Sequence, residues 1–151
     1  MKLKALMFIT CTSLLIGCSS TLPQLGLVDG MLISCPDSPN CVNSQISTND
    51  DSNIEPIMFD GTVDNAQARI LEVLNSEGKS KVIEVKSNYV YAEYISSVFR
   101  FVDDIEFYIL EGGSGRTVIH VRSASRTGRS DFGVNRDRVE RIRVKLSQQP
   151  R

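Results

Sequence analysis

Apolar and polar positions along this chain alternate with two different periods, and each change of period marks an element. Ile57, Met58 and Phe59 form a short apolar run that predicts a strand. After it, Ala66, Ile70, Leu71 and Leu74 recur at helical spacing. Thr62 or Asp64 is placed to cap the free N–H groups of this helix, and Gly78 to end it. From Lys81 to Lys86 the apolar positions are Val82, Ile83 and Val85, while Tyr89 to Ile95 is rich in Tyr and Val. Ser87 and Asn88 lie between at a turn, so the two runs predict a hairpin. Ile105, Phe107 and Ile109 alternate with Glu106 and Tyr108, which predicts a strand over about 105–110. Gly112-Gly113-Ser114-Gly115 turns the chain into a further strand from Thr117 to Ser125. The last element is a helix from about Arg136 to Ser147, with Val139, Ile142 and Leu146 on one stripe and Asn135 placed to cap it.

This order predicts an α+β fold. A mostly antiparallel sheet of about four to five strands carries two helices packed on one face, in a single small domain over 34–148. There is no internal repeat. Asn49 to Asn53 is a polar loop expected to separate a cysteine-bearing turn from the folded body.

The first seventeen residues follow a different logic, with two lysines and then a mostly apolar run from Ala5 to Gly17. That is the pattern of a secretory signal peptide, and the run is too short for the ~20 apolar residues of a membrane-spanning helix. Leu15-Ile16-Gly17-Cys18 resembles the lipobox of bacterial lipoproteins. Cleavage before Cys18 then leaves that cysteine as a diacylated N-terminus bearing fatty-acyl chains such as palmitate, and two chains hold a protein on a bilayer. Ser19 after the anchor resembles lipoproteins passed to the outer membrane, facing the periplasm. Residues 18–33, short on charge and containing Pro23, Gly26 and Gly30, read as the lipid-anchored tether.

Cysteine use agrees with export to the cell envelope. Once Cys11 leaves and Cys18 is acylated, Cys35 and Cys41 remain, with five residues between them in "SCPDSPNCVNSQ". An even pair in an oxidising compartment reads as a disulfide. A metal site is the alternative, but His120 is the sole histidine and the spacing fits no paired CxxC pattern. A redox-active pair lacks the CxxC that depresses a thiol pKa. No metal and no cofactor is expected.

Charge is segregated. The processed chain carries 15 Lys and Arg against 18 Asp and Glu; Arg116 to Lys145 alone holds nine basic and three acidic side chains, leaving the rest at −9. With no overall basic field, and with export, nucleic acid is not an expected partner. The arginines of Val121 to Arg143 are expected to meet the protein's own acidic half. Arg138, Arg141 and Lys145 share a helical stripe that reads as a solvated face, and Asp131 lies in a loop hinged by Gly128 and Gly133. Asp103 and Asp104 precede the strand that pairs with the one bearing Arg122, and as neighbours on a strand they point to opposite faces. Three uses of the cluster compete: an ion-pair and capping network, a pocket for an anionic small molecule or lipid headgroup built on Arg122, Arg126 and Arg138, and catalysis with an aspartate as acid or base. Catalysis has the least support, with no GxSxG and no paired-His motif.

"CPDSPNCVNSQ", "RFVDDIEFYI" and "VRSASRTGRSDFGVNRDRVERI", in this order and spacing, resemble the bacterial and plastid family called domain of unknown function 1499. The resemblance covers roughly Ser34 to Arg143 and implies no activity. It does imply where a site would lie, at Cys35, Pro36, Cys41, Asp103, Asp104, Arg122, Ser123, Ser125, Arg126, Gly128, Asp131, Gly133, Asn135 and Arg138. The expectation is a lipid-anchored envelope protein serving as a non-catalytic binding or interaction module. The alternative is an enzyme acting on an envelope lipid or small anionic metabolite. Beyond the membrane that holds the anchor, the partner expected is an anionic small molecule or headgroup; oligomeric state stays open.

Overall fold

A computed structural model describes residues 23–96 and 100–148. The signal peptide and the acylated Cys18 expected from the sequence lie outside the described residues. The chain forms β1 (Leu27–Val28), β2 (Met31–Leu32), β3 (Cys41–Asn43), β4 (Ile57–Asp60), α1 (Val63–Ser76), β5 (Ser80–Lys86), β6 (Tyr89–Ile95), β7 (Val102–Gly113), β8 (Arg116–Ser125) and α2 (Val134–Ser147). Strands β3 to β8 make one antiparallel sheet in the order β3-β8-β7-β6-β5, with β4 also paired to β8. β1 and β2 pair only with each other.

The expected hairpins are present, because alternation buries one set of side chains from each strand. Val90 and Ala92 of β6, Ile105, Phe107 and Ile109 of β7, and Ile119 and Val121 of β8 share one core with Ala66, Ile70, Val73 and Leu74 of α1 and Val139, Ile142 and Leu146 of α2. Both helices thus cover one face of the sheet. Thr62 caps α1 by accepting from Asn65 N at 3.2 Å, and Gly78 past its end takes φ +63, a conformation glycine adopts without penalty.

Several local expectations fail for physical reasons. The sheet has six strands rather than about four to five because Cys41–Asn43 joins it, opposite Arg122–Ala124 of β8. Three residues carry no period of their own, so only the pairing defines this strand. The polar loop at 49–53 does not set the cysteine turn apart: Asn43 N donates to Ser52 O at 2.9 Å, and Asn53 bridges Asn43. Residues 27–32, expected within the tether, fold back as the β1–β2 hairpin and bury Leu32 with Tyr89 and Tyr91. Helix α2 starts at Val134, and Asn135 lies inside its first turn rather than at its cap. Arg138 is not on a solvated face; it is buried.

Candidate functional site

Adjacent residues of β7 send two carboxylates to opposite faces of the sheet, and each organises a separate network. Asp103 shares the helix-covered face with Ile105 and Phe107. Its carboxylate pairs with Arg138 Nη2 of α2. Arg138 Nη1 donates to Ser123 Oγ at 2.9 Å and also reaches Asn135 Oδ1, and its guanidinium stacks 4.6 Å from the centre of the Tyr94 ring. Ser123 Oγ donates to Asn135 Oδ1 at 2.6 Å, while the two N–H bonds of Asn135 Nδ2 are shared among Asn40 O, Ser125 Oγ and Asp131 Oδ2 at 2.9–3.0 Å. Asp131 also accepts from Gly133 N and Asn135 N, each at 2.9 Å, so it supplies the cap that Gly133 lacks. Burial pushes the Asp131 carboxyl up, but the N–H donors of Asn135 and Gly133 outweigh this and hold it below its ordinary value. Ser123 and Asn135 are fully buried. This network is a clasp that joins β7, β8, the cysteine turn and α2.

Asp104 faces the other way and is 2 % exposed. It accepts from Tyr91 OH at 2.7 Å and from Arg126 Nε and Nη2 at 2.7–3.2 Å. Arg126 Nη2 also pairs with Glu93. The hydrogen bonds that Arg126 donates to Asp104 raise its pKa further, and burial, then Asp104, raises that of Tyr91, so both keep their protons. One residue pair along, the fully buried Glu106 accepts from Gly26 N at 2.6 Å, Tyr89 OH at 2.8 Å and Arg122 Nη1 at 3.1 Å. Among the described residues Glu106 is the one hydrogen-bonding partner of the Arg122 guanidinium, and the buried Arg122 Nε has none.

Above these side chains lies a cleft of about 340 Å³. Asp104, Arg122, Ala124, Ser125 and Arg126 form its floor, and Pro23, Gln24, Ile33, Ser34 and Pro36 of the N-terminal segment form its wall. Glu106 holds that wall through Gly26, and the disulfide between Cys35 and Cys41 ties it to the sheet edge. A larger hollow of about 530 Å³ follows the disulfide loop past Asp37, Asp50 and Arg129, but no buried charge lines it.

The predicted site residues are therefore divided. Asp104, Arg122 and Arg126 meet at the cleft, whereas Asp103, Ser123, Asn135 and Arg138, with Asp131, belong to the clasp; Ser125 touches both. The trio Arg122, Arg126 and Arg138 does not converge, because the sheet lies between its members. The expectation that the arginines meet internal carboxylates holds for Arg122, Arg126 and Arg138. The sequence reading missed Tyr89, Tyr91, Glu93 and Glu106. Their signal was the odd-even alternation of 89–94, where Tyr, Tyr and Glu fall opposite Val and Ala, and Glu106 between Ile105 and Phe107. It also missed Asn40. Among the described residues no group of three His, Cys, Asp or Glu is arranged to hold a metal ion, and no helix is long and apolar enough to cross a membrane.

No curated protein matches the chain. A family model does, over residues 31–146, a span that takes in the whole six-stranded sheet, the clasp and most of the cleft. The chain belongs to the family described as Protein of unknown function (DUF1499).

Proposed function

We propose that this is a lipid-anchored protein of the bacterial cell envelope, held by Cys18 on the outer membrane facing the periplasm, whose folded domain is a non-catalytic binding module. Its ligand enters the cleft between the N-terminal segment and the open face of the sheet. The observation that carries this reading is Arg122 on the cleft floor, whose guanidinium has, among the described residues, Glu106 as its one hydrogen-bonding partner. A guanidinium carries five N–H donors, so a single carboxylate partner leaves capacity for a further acceptor. Formal charge narrows the ligand, since Glu93, Asp104 and Glu106 outnumber Arg122 and Arg126. There is no net positive field for a polyanion. A ligand offering one oxygen-acceptor group without net negative charge, such as a zwitterionic phosphodiester headgroup, matches the remaining guanidinium donors.

The test is native mass spectrometry of the full-length protein purified from bacterial membranes in mild detergent. The wild type is expected to carry an added mass, and Ser34→Trp, which fills the exposed wall of the cleft without touching an ion pair, is expected to lose it. Lipidomics of the released mass separates a lipid from a free metabolite. A wild type without any retained mass, or a Ser34→Trp variant that retains it fully, defeats the reading.

A further inference from the structure

The β1–β2 hairpin has two unlike sides. Its register sets Leu27 opposite Leu32 and Val28 opposite Met31. On the side of the first pair Leu32 is 4 % exposed and packs with Tyr89 and Tyr91, while Leu27 at the hairpin's edge is 38 % exposed. The second pair therefore points away from the sheet, and Val28 and Met31 are 58 % and 52 % exposed. A short hairpin gains little stability of its own. Two large apolar side chains facing outward on it leave more than half of their surface uncovered by the domain.

Chain length says what meets them. The described chain begins at Pro23, five residues beyond Cys18. Five residues span at most ~18 Å when fully extended. An acylated Cys18 therefore keeps the N-terminal segment beside the bilayer, and Val28 follows Pro23 by only five further residues. The segment from Pro23 to Ile33 carries a single charge, Asp29, at the turn. A carboxylate there opposes entry into hydrocarbon, so the contact belongs at headgroup depth.

From this arrangement we infer that the Val28–Met31 side of the hairpin rests on the phospholipid bilayer that holds the anchor. The contact turns the open face of the sheet and its cleft toward the membrane and the two helices away from it. This inference rests on the lipid anchor proposed above, though not on any ligand in the cleft.

The sequence contains no Trp, so a single introduced Trp reports its own depth. The full-length acylated protein is reconstituted into phosphatidylcholine vesicles whose acyl chains are either plain or brominated. Val28→Trp places the reporter on the outward side of the hairpin. Val144→Trp places it on an exposed position of α2, which lies on the opposite face of the sheet. Emission from the Val28→Trp variant is expected to fall about twofold in brominated vesicles, since an interfacial side chain lies within ~5–10 Å of the acyl boundary. Emission from Val144→Trp is expected to stay unchanged, and Met31→Trp to repeat the Val28→Trp result from the other strand. Should the protein float with the vesicles while both hairpin variants are quenched no more than the helix variant, the contact is refuted and the anchor stands. Failure of the wild type to float removes the anchor, and this inference with it.

Discussion

The two faces of the sheet treat neighbouring carboxylates in opposite ways. On the helix side, Asp103 meets Arg138 within a closed set, in which Ser123, Asn135, Asp131 and the carbonyl of Asn40 satisfy one another. On the open side, Asp104 and Glu106 hold Arg126 and Arg122, yet the floor they build faces a cleft, and among the described residues the Arg122 guanidinium has one partner. The composition is alike and the degree of closure differs. A satisfied polar network specifies a fold, whereas an incompletely satisfied one at a concave surface has capacity left for a ligand.

One arginine on each face carries the difference between them. Arg138→Ala strands Asp103 and opens the clasp, and about 3–5 kcal/mol of stability is expected to go, as when one partner of a buried ion pair is removed. Arg126→Ala leaves Asp104 its bond from Tyr91, and the lost guanidinium is 28 % exposed. A smaller loss of about 1–3 kcal/mol is expected there. Urea denaturation of both variants measures the difference; equal losses would show that the faces are not distinct in kind.

The disulfide is shared by both regions. Cys41 follows Asn40 of the clasp, and Cys35 lies between Ser34 and Pro36 of the cleft wall. Replacing both cysteines by serine is expected to cost about 2 kcal/mol, the chain-entropy value for so short a loop. It should also release the bound mass seen by native mass spectrometry, because the wall loses its covalent tie to β3. Full retention of that mass would show that the bonds to Glu106, Gln45 and Asn43 hold the wall without the disulfide.

The smallest effect sharpens the clasp through pH. Asp131 has a folded pKa below its ordinary value. Its contribution is therefore present above an unfolded pKa of ~3.9 and is lost as pH falls through the folded value. Asp131→Asn is expected to cost about 1 kcal/mol at neutral pH, the scale of a lost helix cap. The gap between variant and wild type should narrow in melts taken progressively below pH ~4. A gap independent of pH would mean that shape rather than charge makes the cap.

Much of this was legible beforehand where periodicity was strong. The hairpins β5–β6 and β7–β8, the helix α1, and the opposed faces of Asp103 and Asp104 all follow from spacing alone, whereas the choice of Thr62 over Asp64 as the cap of α1 does not. Arg138 was misplaced because its stripe with Arg141 and Lys145 lies only ~100° of helical rotation from the apolar one. Whether its guanidinium ends in solvent or against Tyr94 and Asp103 depends on how α2 sits on the sheet. Strand β3 was unreadable for the same kind of reason, since a partner strand distant in sequence makes it a strand.

By itself the sequence determined the α+β class, the paired cysteines and which residues carry charge, because local spacing and residue chemistry suffice for these. Only the tertiary structure decided which arginines share a face, and that the segment before Cys35 folds over Glu106 and Arg122 to make one wall of the cleft. Those outcomes depend on contacts between residues far apart in the chain, such as Gly26 with Glu106, 80 positions away. No local pattern in the chain encodes a distance of that length.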